Sequence, residues 1–261
     1  MPELVDLSGY VEENQPALGS HDTVFWTCTT HEESGYRQLQ ELDEDDMENE
    51  TLKRKLRAKR EGSDELHPKD RAILMSEHGP THVDSLAHID SSLSESTIDK
   101  MDLDWFYGPA IGLDVSELLA DRDYVTIDII ESKLQRHSLE LREGDAITLH
   151  TGHRNEHYGL DVEPRYAYLN EYIGLDGEAA TWLAERGVKN IGIDAPSIDH
   201  SAGTAANDHP AHDACGKHGM INTENMANLD AVAGRRYTLC CFPLKLRGGT
   251  GSPVRPVGIL E

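Results

Sequence analysis

The sequence predicts an α/β fold with a mixed sheet core and flanking helices. Two observations carry that expectation: apolar runs of strand length recur along the chain, and segments of helical periodicity fall between them. In chain order, AIGLDV (110–115) is a short apolar run suited to a buried strand. TIDIIESKLQRH (126–137) follows, with its apolar positions spaced as on one helix face. DAITLHT (145–151) is the next strand candidate. LDGEAATWLAERG (175–187) reads as a helix, because Asp176 supplies a capping side chain before the first turn and Gly187 a residue that ends the last. NIGIDA (190–195) and YTLCCFPL (237–244) complete the strand set. No internal repeat or low-complexity linker interrupts the chain, so residues 1–261 are expected to form one domain.

Charge narrows the partners. The 261 residues carry 48 acids against 24 Lys and Arg, a formal charge of −24. Such a surface repels nucleic acid phosphates and anionic membranes, and it matches a protein adapted to high salt, where screening shortens self-repulsion. An ordinary acidic enzyme of the cytosol is the plainer reading of the same excess. Residues 38–69 stand apart, with acids in ELDEDDMENE, bases in LKRKLRAKR, then EGSDELHPKD. They are expected to form a charged helical insertion or lid, its Glu48 and Glu50 one turn from basic residues and Leu52 and Leu56 as an apolar stripe. Cys28, Cys215, Cys240 and Cys241 have neither disulfide nor zinc-finger spacing, and the adjacent pair reads as buried strand residues. MPELVDLSGY lacks the basic and apolar regions of a leader, and no run approaches the ~18 apolar residues of a membrane span, so a cytoplasmic location is expected. No glycine-rich phosphate loop or dinucleotide fingerprint is present, which leaves nucleotide and hydride chemistry without support.

The chemistry concentrates in EHGPTHVDSLAHID, which sets His78, His82, Asp84 and His88 in the pattern H-x3-H-x-D-x3-H. Gly79 and Pro80 oppose a helix between the first two histidines, so the segment reads as a turn followed by an extended stretch. On a strand, residues two apart point the same way, so His82 and Asp84 face one site while His78 reaches it across the turn. Two neutral imidazoles and a carboxylate suit zinc, manganese or iron and leave coordination positions open for water. Downstream, HPAHDACGKHGMINTENMANLD holds His212 and Glu224 in H-x11-E, with His209, Asp213 and His218 as competitors. Alone, that second pattern is better read as a solvated polar segment, and it gains meaning only when paired with the first.

Together these residues resemble the cyclase or kynurenine-formamidase family of metal-dependent amide and lactone hydrolases, whose hallmark is H-x-G-T-H-x-D-x-P-x-H followed by H-x11-E and E-N-x-x-N-L-D. This chain reads HGPTHVDSLAH and, from Glu224, ENMANLD; DLS at Asp6 to Ser8, GPAIGLDVS from Gly108, GDAITLHTGH from Gly144, IGIDAPSIDH from Ile191 and SPVRPVGIL near the end extend the likeness. The resemblance implies a swivelling β/β/α-type fold. It implies that His78, His82 and Asp84 hold a divalent metal, zinc or manganese, and that Asp84 bridges to a second ion held by His212 and Glu224, with one or two ions per chain. His88 is implied as the acid/base residue. The implied substrate is a small aryl formamide such as N-formylkynurenine; a cyclic amide or lactone hydrolase of the isatin type, or a noncatalytic metal-binding protein, are the alternatives. A homodimer or homotetramer is implied as well. Pro80 stands where the family has glycine, and Leu86-Ala87 replaces its proline-containing pair, changes that touch the turn and the pocket wall rather than a ligand.

Three further groups are functional candidates. His153, Arg154 and His157 lie in a polar loop that either joins the substrate pocket or connects elements. Asp194, Ser197, Asp199 and His200 are candidates to support the ligands from behind. Trp26 is either an aromatic beside the substrate or a packed core residue.

Overall fold

A computed structural model describes residues 2–16, 23–29 and 70–261. The charged segment 38–69 and Cys28's and Trp26's side chains lie outside the described part. The chain divides into two compact units, one of residues 1–22 and 75–261, the other of residues 23–74. In the smaller unit, β2 (Val24–Thr29) pairs antiparallel with β3 (Asp70–Leu74), and the Arg71 guanidinium lies 4.6 Å from the centre of the Phe25 ring.

The larger unit is built on a nine-stranded sheet with the order β1-β11-β9-β5-β6-β7-β8-β4-β10. Its centre is parallel: β5 (Tyr107–Asp114), β6 (Ala146–His150), β7 (Asn190–Ile193) and β8 (Ile221–Glu224) run side by side. Helices cross between these strands, as parallel neighbours require. They include α2 (Ile127–Arg136), α5 (Gly177–Glu185) and α7 (Pro210–His218). The outer strands are antiparallel: β1 (Glu3–Asp6), β11 (Val257–Leu260) and β9 (Arg236–Cys240) on one flank, β4 (His82–Asp84) and β10 (Gly251–Pro253) on the other. The expected mixed sheet with flanking helices is the observed one, and all four strand expectations and both helix expectations fall on the observed elements.

Alternation along the central strands sorts the core into two layers. Ile111, Leu113, Ile147, Leu149, Ile191 and Ile193 pack against Ile130, Leu134, Ala180, Leu183 and Cys215 of the helices. Ala110, Ala146 and Ile221 face the opposite side with Leu7, Met226, Val232, Tyr237, Leu239 and Cys241. Each fully buried aliphatic side chain contributes about 1.5–3 kcal/mol by leaving water. α5 starts as expected, with Asp176 accepting from the Ala179 amide at 2.6 Å, and Gly187 leaves it with φ of 81°. Among the described residues no helix is long and apolar enough to cross a membrane.

Candidate active site

Two short strands set the site's geometry. β4 pairs antiparallel with β8 so that His82 lies opposite Glu224. Residues two apart on a strand share a face, so His82, Asp84, Asn222 and Glu224 all project to the same side of this pair. Val83, between them, is buried in the core on the other face. Asp84 and Glu224 are almost wholly buried, and Asp84 is only 1 % exposed.

Three further histidines reach the four-residue face from outside it. His78 precedes β4 across the expected turn and places Nδ1 2.7 Å from Asp84 Oδ1. Gly251 makes room for it, since a Cβ at that position would lie 2.6 Å from His78 Cε1. His212 sits in the first turn of α7, which starts with Pro210 where a missing N–H costs nothing. Its Nε2 lies 3.6 Å from Asp84 Oδ2 and 3.5 Å from Glu224 Oε1. His82 Nε2 is 3.4 Å from Asp84 Oδ1 and 3.5 Å from Glu224 Oε2. His88, on the short helix α1 (Leu86–Ile89), keeps Nε2 3.9 Å from Asp84 Oδ2 and stacks its ring 4.0 Å from that of His78. His78, His82, Asp84, His88, His212 and Glu224 line one cavity of about 470 Å³, together with Ser197, His209, Asp213 and Asn225.

These donors fit a divalent cation. The side-chain atoms of His78, His82 and Asp84 converge within 4.8 Å of one another, as do those of Asp84, His88 and His212. Each of the three imidazoles proposed as ligands is anchored through its other nitrogen, the arrangement that fixes tautomer and ring orientation in metal sites. His82 Nδ1 donates to the Pro80 carbonyl at 3.1 Å, and His212 Nδ1 donates to Asp199 Oδ2 at 2.5 Å. His78 Nε2 donates to Thr250 Oγ1 at 2.9 Å, whose own hydroxyl donates to Glu77 Oε1 at 2.5 Å. The inward nitrogens are thereby left to a cation or a proton. Asp84 has histidines on both oxygens, His78 and His82 at Oδ1 and His212 and His88 at Oδ2.

Protonation follows the same geometry. Burial pushes the His82 pKa down to about 4, against the pull of Asp84. Burial also opposes protonation of His78 and His212, but hydrogen bonds to carboxylates, Asp84 for the first and Asp199 and Asp84 for the second, outweigh it and raise both. For Asp84 the same contest goes to the hydrogen bonds from His212 and His78, which hold it well below the usual carboxylate range. Glu224 is pushed up to about 8, chiefly by burial. His88 lies below its ordinary 6.5, again chiefly through burial.

The Cyclase family model matches residues 5–200. Kynurenine formamidase of Bacillus thuringiensis (strain Al Hakam) is 33% identical over 186 residues, covering 71% of this chain and 77% of the relative. The kynurenine formamidase of Salinibacter ruber is 30% identical over the same shares. The chain belongs to the cyclase family. Solved structures agree on the fold: an isatin hydrolase bound to the product analogue thioisatinate superposes with a TM-score of 0.77 at 21% identity, covering 99% of this chain and 92% of the other. Isatin hydrolase A from Ralstonia solanacearum gives 0.77 at 20% identity, covering 100% and 92%.

Other sequence candidates of this cyclase-family chain fall in different places. His209 and Asp213 line the cavity, and His209 Nδ1 lies 3.6 Å from Asp199 Oδ2, whereas His218 is exposed outside it. Of the group expected behind the ligands, Asp199 is fully buried and meets His212, and its Oδ1 also accepts from the Ala211 amide at 2.6 Å. Asp194 instead organises the 151–152 turn, accepting from the Thr151 and Gly152 amides and from the Thr151 hydroxyl. His200 caps a helix through Nδ1 and donates through Nε2 to the Arg122 carbonyl. His153, Arg154 and His157 do not line this cavity; His153 Nε2 donates to the Tyr168 carbonyl. Asn222 was invisible to motif reasoning, although its amide donates to Asp84 Oδ2 at 2.8 Å and Glu224 Oε1 at 3.1 Å. The i, i+2 spacing of Asn222 and Glu224 in INTE is the signal that would have found it.

Proposed function

We propose that this enzyme hydrolyses a small aryl formamide, N-formylkynurenine foremost, using one or two divalent cations held by His78, His82, Asp84, His212 and Glu224. What carries the reading is the convergence of three anchored imidazoles and two buried carboxylates on one cavity in a chain that kynurenine formamidases match at 30 to 33% identity. When bound, the cation supplies Lewis acidity, which lowers the pKa of water from about 15.7 to roughly 7 and offsets charge developing on the carbonyl oxygen. The donor set of nitrogen and carboxylate oxygen suits zinc or manganese. Both oxygens of Asp84 are faced by different histidines, so Asp84 with His78 and His82 would hold one ion, and Asp84 with His212 and Glu224 would hold a second.

His88 moves the proton. Its lowered pKa keeps it neutral near pH 7, so it accepts a proton from the attacking water and returns it to the departing nitrogen. Water oxygen bonds to the formyl carbon, the C–N bond breaks, and formate and an arylamine leave. At 41 % exposure the His88 side chain opens to the cavity, as a proton carrier that meets substrate must. Asn222 holds Asp84 and Glu224 in register, and Asp199 and Thr250 hold His212 and His78. We further read the charge of −24 as adaptation to high salt. The exposed stack of Tyr107 on Phe242, rings 6.2 Å apart, supports assembly into a homodimer or homotetramer.

The test compares kcat/KM for N-formylkynurenine and for isatin on the metal-loaded enzyme in high salt. A preference for the formamide of more than about tenfold supports the reading; the reverse preference assigns the cavity to cyclic amides.

A further inference from the structure

A second cavity, of about 730 Å³, lies on the larger unit away from the metal cluster. Arg154 lines it, and that side chain is out of keeping with its surroundings. It is 9 % exposed, so it is buried as few arginines are, and it stays charged because a guanidinium does not deprotonate in a protein. Among the described residues it is in no ion pair: its Nη1 donates to Tyr168 Oη at 3.3 Å, and its face lies 3.9 Å from the centre of the Tyr158 ring. Removing one partner of a buried charge is costly, and a buried cation is ordinarily matched by an anion.

The backbone is shaped around this guanidinium. A Cβ at Gly9 would lie 2.2 Å from Arg154 Nη2, so a side chain there would displace the guanidinium from its place beside the 7–11 segment. Arg255 also lines the cavity but is already matched, with Nε and Nη2 on Asp6 Oδ2 at 3.0 and 2.7 Å. Arg255 is thus matched by Asp6, and Glu12, at the cavity's edge, accepts from Tyr158 Oη at 2.8 Å, so among the described residues Arg154 is the cation of this cavity with no carboxylate bonded to it. Tyr10, Val11 and Tyr158 supply apolar wall, and the Tyr10 side chain is 84 % exposed.

We propose that this cavity binds an apolar monocarboxylate, with Arg154 taking the carboxylate and Tyr10, Val11 and Tyr158 taking the body. A planar guanidinium matches a carboxylate through two parallel hydrogen bonds. One guanidinium free to bind, with the carboxylates of Asp6 and Glu12 close by, suits a monoanion and opposes a phosphate. The site also has a route to the metal cavity. Tyr168 Oη, which accepts from Arg154, donates to Asn225 Oδ1 at 2.8 Å, and Asn225 lines the metal cavity.

The experiment is calorimetric titration of benzoate into the metal-loaded enzyme, with neutral benzamide as the control. Arg154→Gln should weaken benzoate by about tenfold or more, the loss expected on removing a charge-assisted hydrogen bond. Tyr10→Ala, at a position too exposed to endanger folding, should weaken it severalfold, and His212→Ala should leave it unchanged. Loss of binding in His212→Ala with retention in Arg154→Gln would place the carboxylate on the metal and overturn the proposal. Equal binding of benzamide would overturn it too, as would a cavity that takes no benzoate but whose Tyr10→Ala variant dissolves an oligomer in sedimentation, which would assign the surface to a second copy.

Discussion

Replacing Asp199 with asparagine separates a side chain that orients a ligand from one that only packs. Asp199 is fully buried; Oδ2 accepts from His212 Nδ1 at 2.5 Å and Oδ1 from the Ala211 amide at 2.6 Å. Asparagine keeps the shape and keeps an oxygen for Ala211, but it then turns its NH2 toward His212 Nδ1. To avoid two donors meeting, the ring must move its proton to Nε2, the nitrogen that faces Asp84 and Glu224. A hydrogen bond to a charged partner is worth about 1.5–3 kcal/mol, and each 1.4 kcal/mol is tenfold in an equilibrium constant. Metal affinity should therefore fall roughly 10- to 100-fold in Asp199→Asn, the span seen when outer partners of metal-bound histidines are removed. Competition against a chromophoric zinc chelator reads this directly, with a metal-free thermal melt to confirm that the variant folds. An affinity within about twofold of the parent would refute the orienting role. A loss beyond about a thousandfold would make Asp199 a ligand itself.

Three other outcomes follow from the same geometry. His88→Ala should retain its full metal content while kcat falls by about 10²–10⁴, the usual contribution of a positioned acid/base group, and turnover equal to the parent would remove His88 from the mechanism. His153 is buried with its pKa pushed down from 6.5 to about 4, so between those values the unfolded chain binds more protons than the folded one and stability falls as pH drops through that window. The loss from this one group reaches about 3 kcal/mol at most, so denaturant titrations from neutral pH to pH 4 should show His153→Gln, which can still donate to the Tyr168 carbonyl, losing less stability than the parent; parallel losses would show that His153 titrates normally. Thr250→Val leaves His78 Nε2 without its acceptor and should weaken metal binding about tenfold at unchanged fold, read by the same chelator competition.

The parts of this molecule legible in its sequence are those where one physical demand dominates. β5, β6 and β7 are covered on both faces, so AIGLDV, DAITLHT and NIGIDA show as continuous apolar runs. β4 and β8 serve two demands at once. One face of each packs in the core and the other carries His82, Asp84, Asn222 and Glu224, so HVD and INTE look polar and are hard to read as strands. The ligand candidates were legible because histidine and carboxylate at close spacing are chemically conspicuous. Asn222 and Thr250 were not: the one signal for Asn222 is its i, i+2 spacing from Glu224, legible only once β8 is known to be a strand, and Thr250 meets His78 across 172 residues of chain. Arg154 was legible as a pocket residue but not as belonging to a different pocket, because the separation of the two cavities arises only when α3 (His153–His157) is placed by the sheet.

The measurement closest to the central claim is an anomalous-diffraction crystal structure of the protein loaded with manganese or zinc. Anomalous density among His78, His82, Asp84, His212 and Glu224, with His88 off the metal, is the predicted result. Density held instead by Asp199, His209 and His212, the other group whose donor atoms converge, would contradict it.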